Sequence, residues 1–169
     1  MKIKAGSFIS ILLFFSLLSQ AQVSELFKKV DSKHSFKDVA FGTSFNIAKS
    51  KLGLIKSNIG PSAYVITKET YQSLGMYYAD FGFAMFNKDS LTGIGLMFLL
   101  KYENDKEKYI DYFHTMLGES KYDEKRKYYT WLGDNLYYTL YVSIVDKQSA
   151  INIIIKSTQF GPANGAENF

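Results

Sequence analysis

The chain has 169 residues, no cysteine and a formal net charge of +4, from 20 basic and 16 acidic residues. Without cysteine it can build neither a disulfide framework nor a lipid-bearing anchor residue, so the fold has to rest on a buried core, which this length supplies unaided. The mild positive charge argues against nucleic acid or an anionic membrane as the partner.

Residues 1–21 read as a signal peptide. Lys2 and Lys4 form the positive start, Phe8 to Leu18 the apolar run, and Ser19-Gln20-Ala21 the small-residue site for cleavage after Ala21. The run is short for a transmembrane span. Its removal leaves 18 basic against 16 acidic residues, a net charge of +2. The expectation is a secreted or periplasmic protein with no stable membrane insertion after cleavage. A single domain occupies residues 22–160, and residues 161–169, "GPANGAENF", form a disordered tail.

Residues 22–34 suggest a short helix with Leu26, Phe27 and Val30 on one side, and residues 35–42 an extended lead-in. "TSFNIAKSKLG" (43–53) reads as a helix. Thr43 or Ser44 caps it, Phe45, Ala48 and Leu52 share a face, and Gly53 is a left-handed stop. A loop and the extended piece "YVITKE" follow. Residues 103–118 give the clearest helix. Asn104 and Glu107 have capping-box spacing, Ile110, Phe113 and Leu117 form the stripe, and Gly118 ends it. The charged run "DEKRK" (123–127) reads as a solvated loop, and "YYTWLG" as a short strand.

Two stretches alternate with period 2 around a short polar break: residues 76–100 around "NKDS" and residues 135–157 around "DKQS". Turning at Lys88-Asp89 opposes Met85 to Thr92, Phe83 to Ile94 and Phe81 to Leu96. This puts Phe81, Phe83 and Met85 on the core face. Turning at Lys147-Gln148 opposes Ile144 to Ile151 and Val142 to Ile153. A shift of 59 residues lays the first hairpin on the second, and a shift of 65 lays the first helix on the next. The chain thus reads as two copies of a helix-plus-strands unit, residues 43–100 and 104–157. Neither copy can bury its sheet face and helix stripe alone. The expected fold is α+β, a two-layer sandwich: an antiparallel sheet of about six strands with two main helices on one face.

The two "LG" helix ends (52–53 and 117–118) and the two hairpins resemble the β-lactamase-inhibitor-like tandem α/β repeat modules, and more distantly the small lipoprotein subunit of the outer-membrane assembly machine. The pattern covers most of the chain after residue 21, without a specific motif, and this chain departs from it in lacking disulfides and a lipid-attachment cysteine. The resemblance implies protein binding without catalysis. It carries over no site residue.

Chemistry is sparse. His34 and His114 are the two histidines, with no H-x-x-x-H or E-x-x-H spacing and no nucleophile-elbow motif. "GIG" (93–95) lies inside a strand, so it is no phosphate loop. The reading is a non-enzymatic protein with no catalytic residue, cofactor or metal. A different candidate is the sheet face turned away from the helices: Tyr78, Asp80, Gly82, Ala84, Gly93, Gly95, Tyr137 and Tyr141. Glycine and alanine opposed in pairs would form a trough rimmed by tyrosine, which suits an envelope or extracellular protein partner. Two alternatives stay open. The chain's own N-terminal segment could fill the trough with Phe27 or Phe36. A pocket between sheet and helices, lined by Phe81, Phe83, Phe98 and Phe113, could carry a small apolar or sugar ligand.

Overall fold

The computed structural model describes residues 25–58 and 60–160. The expected signal peptide (1–21), the first residues of the expected N-terminal helix (22–24) and the expected tail (161–169) lie outside them. Among the described residues, three helices accompany an eight-stranded antiparallel sheet and two small hairpins.

Helix α1 (Glu25–Lys33) buries Phe27 and Asp31, four residues apart on one face. The expected lead-in is a tight hairpin, β1 (Ser35–Phe36) and β2 (Val39–Ala40), bent at Lys37, whose φ is 56°. Helix α2 (Phe45–Leu52) ends where Gly53 turns left-handed at φ 66°, its N–H donating to the Lys49 carbonyl. Its start is held from elsewhere in the chain. The Ser44 side chain caps nothing; instead the Phe45 N–H donates to the Asp89 carbonyl (2.9 Å) and carboxylate (3.1 Å). Helix α3 (Asp105–Leu117) ends at Gly118 and buries Ile110, Phe113 and Leu117, as the stripe predicts. Its expected capping box does not form: Asn104 makes no side-chain cap, and the Asp105 carboxylate accepts the Tyr102 N–H instead.

After α2 come β3 (Leu54–Lys56), β4 (Ala63–Ile66), a single 3-10 turn (Glu69–Tyr71), the small hairpin β5 (Ser73–Leu74) and β6 (Tyr77–Tyr78), then β7 (Phe81–Asn87) and β8 (Ser90–Leu99). After α3 come β9 (Lys121–Asp123), β10 (Tyr128–Leu132), β11 (Leu136–Val145) and β12 (Gln148–Ser157). The sheet order is β3-β4-β7-β8-β12-β11-β10-β9, so α2 and α3 are each followed by four strands of the main sheet running from an edge to the centre. The sheet has eight strands where about six are expected. The two extra strands, β3 and β9, are three-residue edges, too short to display a period of 2.

Register is the main correction. The second hairpin turns at Asp146-Lys147, both with positive φ, and opposes Val145 to Gln148. Its pairing differs from expectation by two residues, which leaves every face unchanged. The first hairpin turns at Lys88-Asp89 as expected, and Asn87 opposes Ser90 and Phe86 opposes Leu91. A bulge then inserts Thr92, and Met85 opposes Gly93 rather than Thr92. Thr92 is buried and donates its hydroxyl to the Met85 carbonyl.

One extra residue on β8 reverses the faces assigned to β7. The helix side carries Ala84 and Phe86 from β7, Ile94, Leu96 and Phe98 from β8, Ile151, Ile153 and Ile155 from β12, and Tyr138, Leu140 and Val142 from β11. The open side carries Phe81, Phe83 and Met85. Phe83 and Val142, expected on one surface, therefore lie on opposite surfaces of the sheet. The core is one cluster on the helix side, where Phe27, Leu52, Phe98, Phe113, Leu117 and Leu136 are almost fully excluded from water. Burying each of these side chains stabilises the fold by about 1.5–3 kcal/mol.

Candidate functional site

The open face is built by cross-strand rows. Val65, Phe83, Gly95, Ile154 and Thr139 follow one another across β4, β7, β8, β12 and β11. Phe81, Met97, Asn152 and Tyr141 form the row on one side, and Met85, Gly93, Lys156 and Tyr137 the row on the other. The glycines are not empty floor. A Cβ on Gly95 would lie 2.1 Å from the Phe83 ring, and one on Gly93 would lie 2.6 Å from the Met85 methyl. Each glycine lets the opposite side chain lie flat across the backbone. The trough read from the sequence is therefore filled by Phe83 and Met85, giving a platform.

Of the predicted face, Gly93, Gly95, Tyr137 and Tyr141 lie on this side. Gly82 and Ala84 do not. Ala84 is fully buried in the core, and a Cβ on Gly82 would meet Leu96 at 3.3 Å on the helix side. Tyr78 is 77% exposed but sits on β6, paired with Ser73 outside the main sheet. Asp80 extends the β7 edge: its N–H donates to the Met97 carbonyl and its carboxylate accepts the Leu99 N–H at 2.7 Å. Phe27 and Phe36 do not cover the platform: both belong to the core cluster, and Phe27 packs edge-on against Tyr138.

Sequence reasoning missed Phe81 and Phe83 as face residues, while Met97 and Ile154 lie on the face it assigned them. The available signal was "FGFAMF", in which both alternating sets are apolar. Phe81 and Phe83 lie ring to ring at 6.3 Å and are partly exposed, with Met97, Tyr137 and Tyr141 in the same state. Ile154, in the central row of the same face, is 5% exposed. Burial raises the pKa of the Tyr141 phenol and lowers that of the Lys156 ammonium.

On the helix side a cleft of about 250 Å³ opens between α3, β10 and β11. Ile110, Leu140 and Val142 form its apolar floor, Tyr122 and Tyr129 a wall, and Lys106, Lys127 and Glu103 belong to its polar lining. The phenylalanines expected to line such a pocket are elsewhere: Phe81 and Phe83 on the open face, Phe98 and Phe113 sealed in the core.

Each histidine meets a serine. His34 Nε2 lies 2.7 Å from Ser157 Oγ, and His114 Nε2 lies 2.9 Å from Ser120 Oγ. Ser157 is buried, and its oxygen also accepts the Gln159 and Phe160 N–H groups, while His34 stacks on Phe160. This arrangement closes the C-terminal end of β12 onto α1. Among the described residues no histidine pairs with a carboxylate and no group of three His, Cys, Asp or Glu side chains could hold a metal. No described helix is long and apolar enough to cross a membrane.

Tyrosine burial sets an alkaline limit. Tyr109, Tyr112, Tyr129, Tyr138 and Tyr141 all have phenol pKa values raised mainly by desolvation. Above pH about 10 the unfolded chain ionises these groups while the folded chain keeps their protons, so the folded state binds more protons and stability falls as pH rises. Lys37 and Lys156, lowered by burial, act in the opposite sense below their ordinary value. Tyr71, raised by its hydrogen bond to Asp38, and Lys108, raised by its hydrogen bond to Asp105, act in the same direction as the five phenols. With only two lowered amines against them, the melting temperature is expected to drop steadily from pH 10 to pH 11.5, and tyrosinate absorbance to rise with unfolding. A flat melting temperature over that range would contradict the assignment.

The chain matches no protein-family model, no curated protein and no solved structure.

Proposed function

We propose that the chain is a secreted or periplasmic, non-enzymatic binding domain that engages another protein through the open face of its sheet. One observation carries this reading: the face away from the core presents Phe81, Phe83, Met97, Tyr137 and Tyr141, partly exposed, on β7, β8 and β11, with Asn152, Ile154 and Lys156 of β12 between them. Exposed apolar surface with a polar border marks interaction sites, and large rigid side chains carry interface energy. Gly93 and Gly95 flatten it. The resemblance to β-lactamase-inhibitor-like modules agrees with a protein partner.

We also read the chain as a tandem duplication forming a two-layer α+β sandwich. The edge-to-centre strand order supports this. So does a corrected alignment. A shift of 58 places Gly82, Ala84 and Phe86 on Leu140, Val142 and Ile144; beyond the bulge a shift of 57 places Ile94, Leu96 and Phe98 on Ile151, Ile153 and Ile155.

Site-specific photocrosslinking tests the binding face. With a benzophenone side chain at Phe81 or Tyr141, cells are expected to yield a discrete adduct with another envelope or extracellular protein. The same group at Ile47, exposed on α2, serves as control. No adduct at the sheet positions, or the same adducts at Ile47, would remove the reading.

A second reading, transport of a small ligand, is favoured by the 250 Å³ cleft beside α3.

A further inference from the structure

The two halves differ most where α2 and α3 begin. In the first half, the floor under the helix start is closed. Phe45 from α2, Tyr64 from β4 and Phe86 from β7 pack ring against ring at 4.6–5.6 Å, Ala84 is fully buried and Phe86 is 6% exposed. In the second half, the positions corresponding to Ala84 and Phe86 are Val142 and Ile144, and they are 44% and 77% exposed. The helix shift of 65 places the aliphatic Ile110 where α2 has Phe45, and the space is the 250 Å³ cleft. The cleft is therefore not a general consequence of the fold, because the same framework fills it on one side.

Its lining has a defined chemistry. Ile110, Leu140 and Val142 offer an apolar floor. Tyr122 and Tyr129, with ring centroids 4.7 Å apart, offer a wall for a flat or branched group. Lys106 lies 3.8 Å from Glu107, which shares its charge. Lys127 forms no ion pair among the described residues. It is placed by the β9–β10 turn, where its backbone sits at positive φ and its N–H donates to the Asp123 carbonyl at 2.7 Å. Against these two ammonium groups stands one carboxylate in the lining, Glu103. The volume lies just below the usual range for ligand pockets, which begins near 300 Å³, so the occupant is small.

We infer that the cleft between α3, β10 and β11 binds a small carboxylic acid with an aromatic or branched apolar body, the body against Ile110, Leu140 and Val142 and the carboxylate at Lys127. This rests on the small-ligand reading; the cleft opens on the helix side of the sheet, and of the open-face residues named above Tyr141 alone also borders it.

The test is a titration of the full-length protein with phenylacetate and, separately, with its neutral counterpart phenylacetamide, followed by amide chemical shifts. Phenylacetate is expected to perturb residues of α3 and β9–β11 and to bind about tenfold more tightly than the amide, because a charge-assisted hydrogen bond is available only to the acid. Lys127→Met is expected to bring the acid down to the level of the amide. Val142→Trp, at a partly exposed position, is expected to abolish binding of both with an unchanged circular dichroism spectrum; Lys127→Met carries the test alone should that variant not fold. Equal affinity for acid and amide would overturn the acid specificity and leave the small-ligand reading standing. No shift at the cleft with either probe would overturn both.

Discussion

Replacing Asp31 by alanine is expected to destabilise the protein by about 3–5 kcal/mol, a large part of the 5–15 kcal/mol typical of a domain. The Asp31 side chain points from the last turns of α1 into the loop joining β10 and β11. Its carboxylate accepts the N–H groups of Asp134 (3.0 Å), Asn135 (3.1 Å) and Leu136 (2.7 Å), and the residue is 6% exposed. Three consecutive backbone donors converge on one buried anion, so its removal leaves donors without an acceptor in a place that water reaches poorly. Gly133 belongs to the same device, since a Cβ there would lie 2.3 Å from the Asp31 carboxylate. Asp31→Asn keeps the shape but turns an N–H₂ toward donors, and an intermediate loss is expected. The Tyr138 phenol gives a second readout. Its pKa is raised by burial first and by the Asp31 charge second, so Asp31→Asn should let it ionise at lower pH. Urea denaturation monitored at Trp131 measures the stability. A loss below 1 kcal/mol for Asp31→Ala would mean that α1 is held by Phe27 alone.

Gly95→Val is expected to cost about 2 kcal/mol in the native background and close to nothing, or to stabilise, when Phe83 is alanine. Gly95 faces Phe83 directly across β7 and β8, and the ring atoms lie 2.1–2.7 Å from where a Cβ would stand. Any side chain at 95 must push the ring off the backbone, a penalty of the overpacking kind. Glycine in a strand interior otherwise weakens it, and valine favours the extended chain, so removal of the ring exposes that preference. The double-mutant cycle should therefore show strong coupling, measured as the difference between the two Gly95→Val effects. Additive effects would show that Phe83 does not lie over Gly95. Gly95→Val should also raise the ring away from the sheet, and it becomes a second probe of partner binding that leaves the helix side untouched.

The candidate face shows where local pattern ends. Phe81, Phe83 and Met85 alternate with Gly82, Ala84 and Phe86, and the larger set was the natural choice for the core. The choice fails because both sets are apolar, leaving burial to be decided by which set meets Ile94, Leu96 and Phe98. The Thr92 bulge makes that decision, and one residue of register is enough to exchange the faces. The second hairpin has a polar set, Thr139, Ser143 and Asn152, and there the faces follow the sequence even though the turn is displaced. Binding residues were thus legible on β11 and inverted on β7. The cleft was legible only as a possibility, because its walls come from α3, β9, β10 and β11, brought together by the chain's return.

By itself the sequence determined the elements with strong local chemistry: the stops at Gly53 and Gly118, the α3 stripe, the two long hairpins and the Lys88-Asp89 turn of the first. Each is specified by residues a few positions apart, through left-handed glycine or a repeating period. Only the tertiary structure decided the Thr92 register, the start of α2 at Asp89, the grip of Asp31 on the β10–β11 loop, and the contrast between the closed and open helix starts. In each of these the interacting groups are distant in the chain, so their energies depend on geometry that no local pattern encodes.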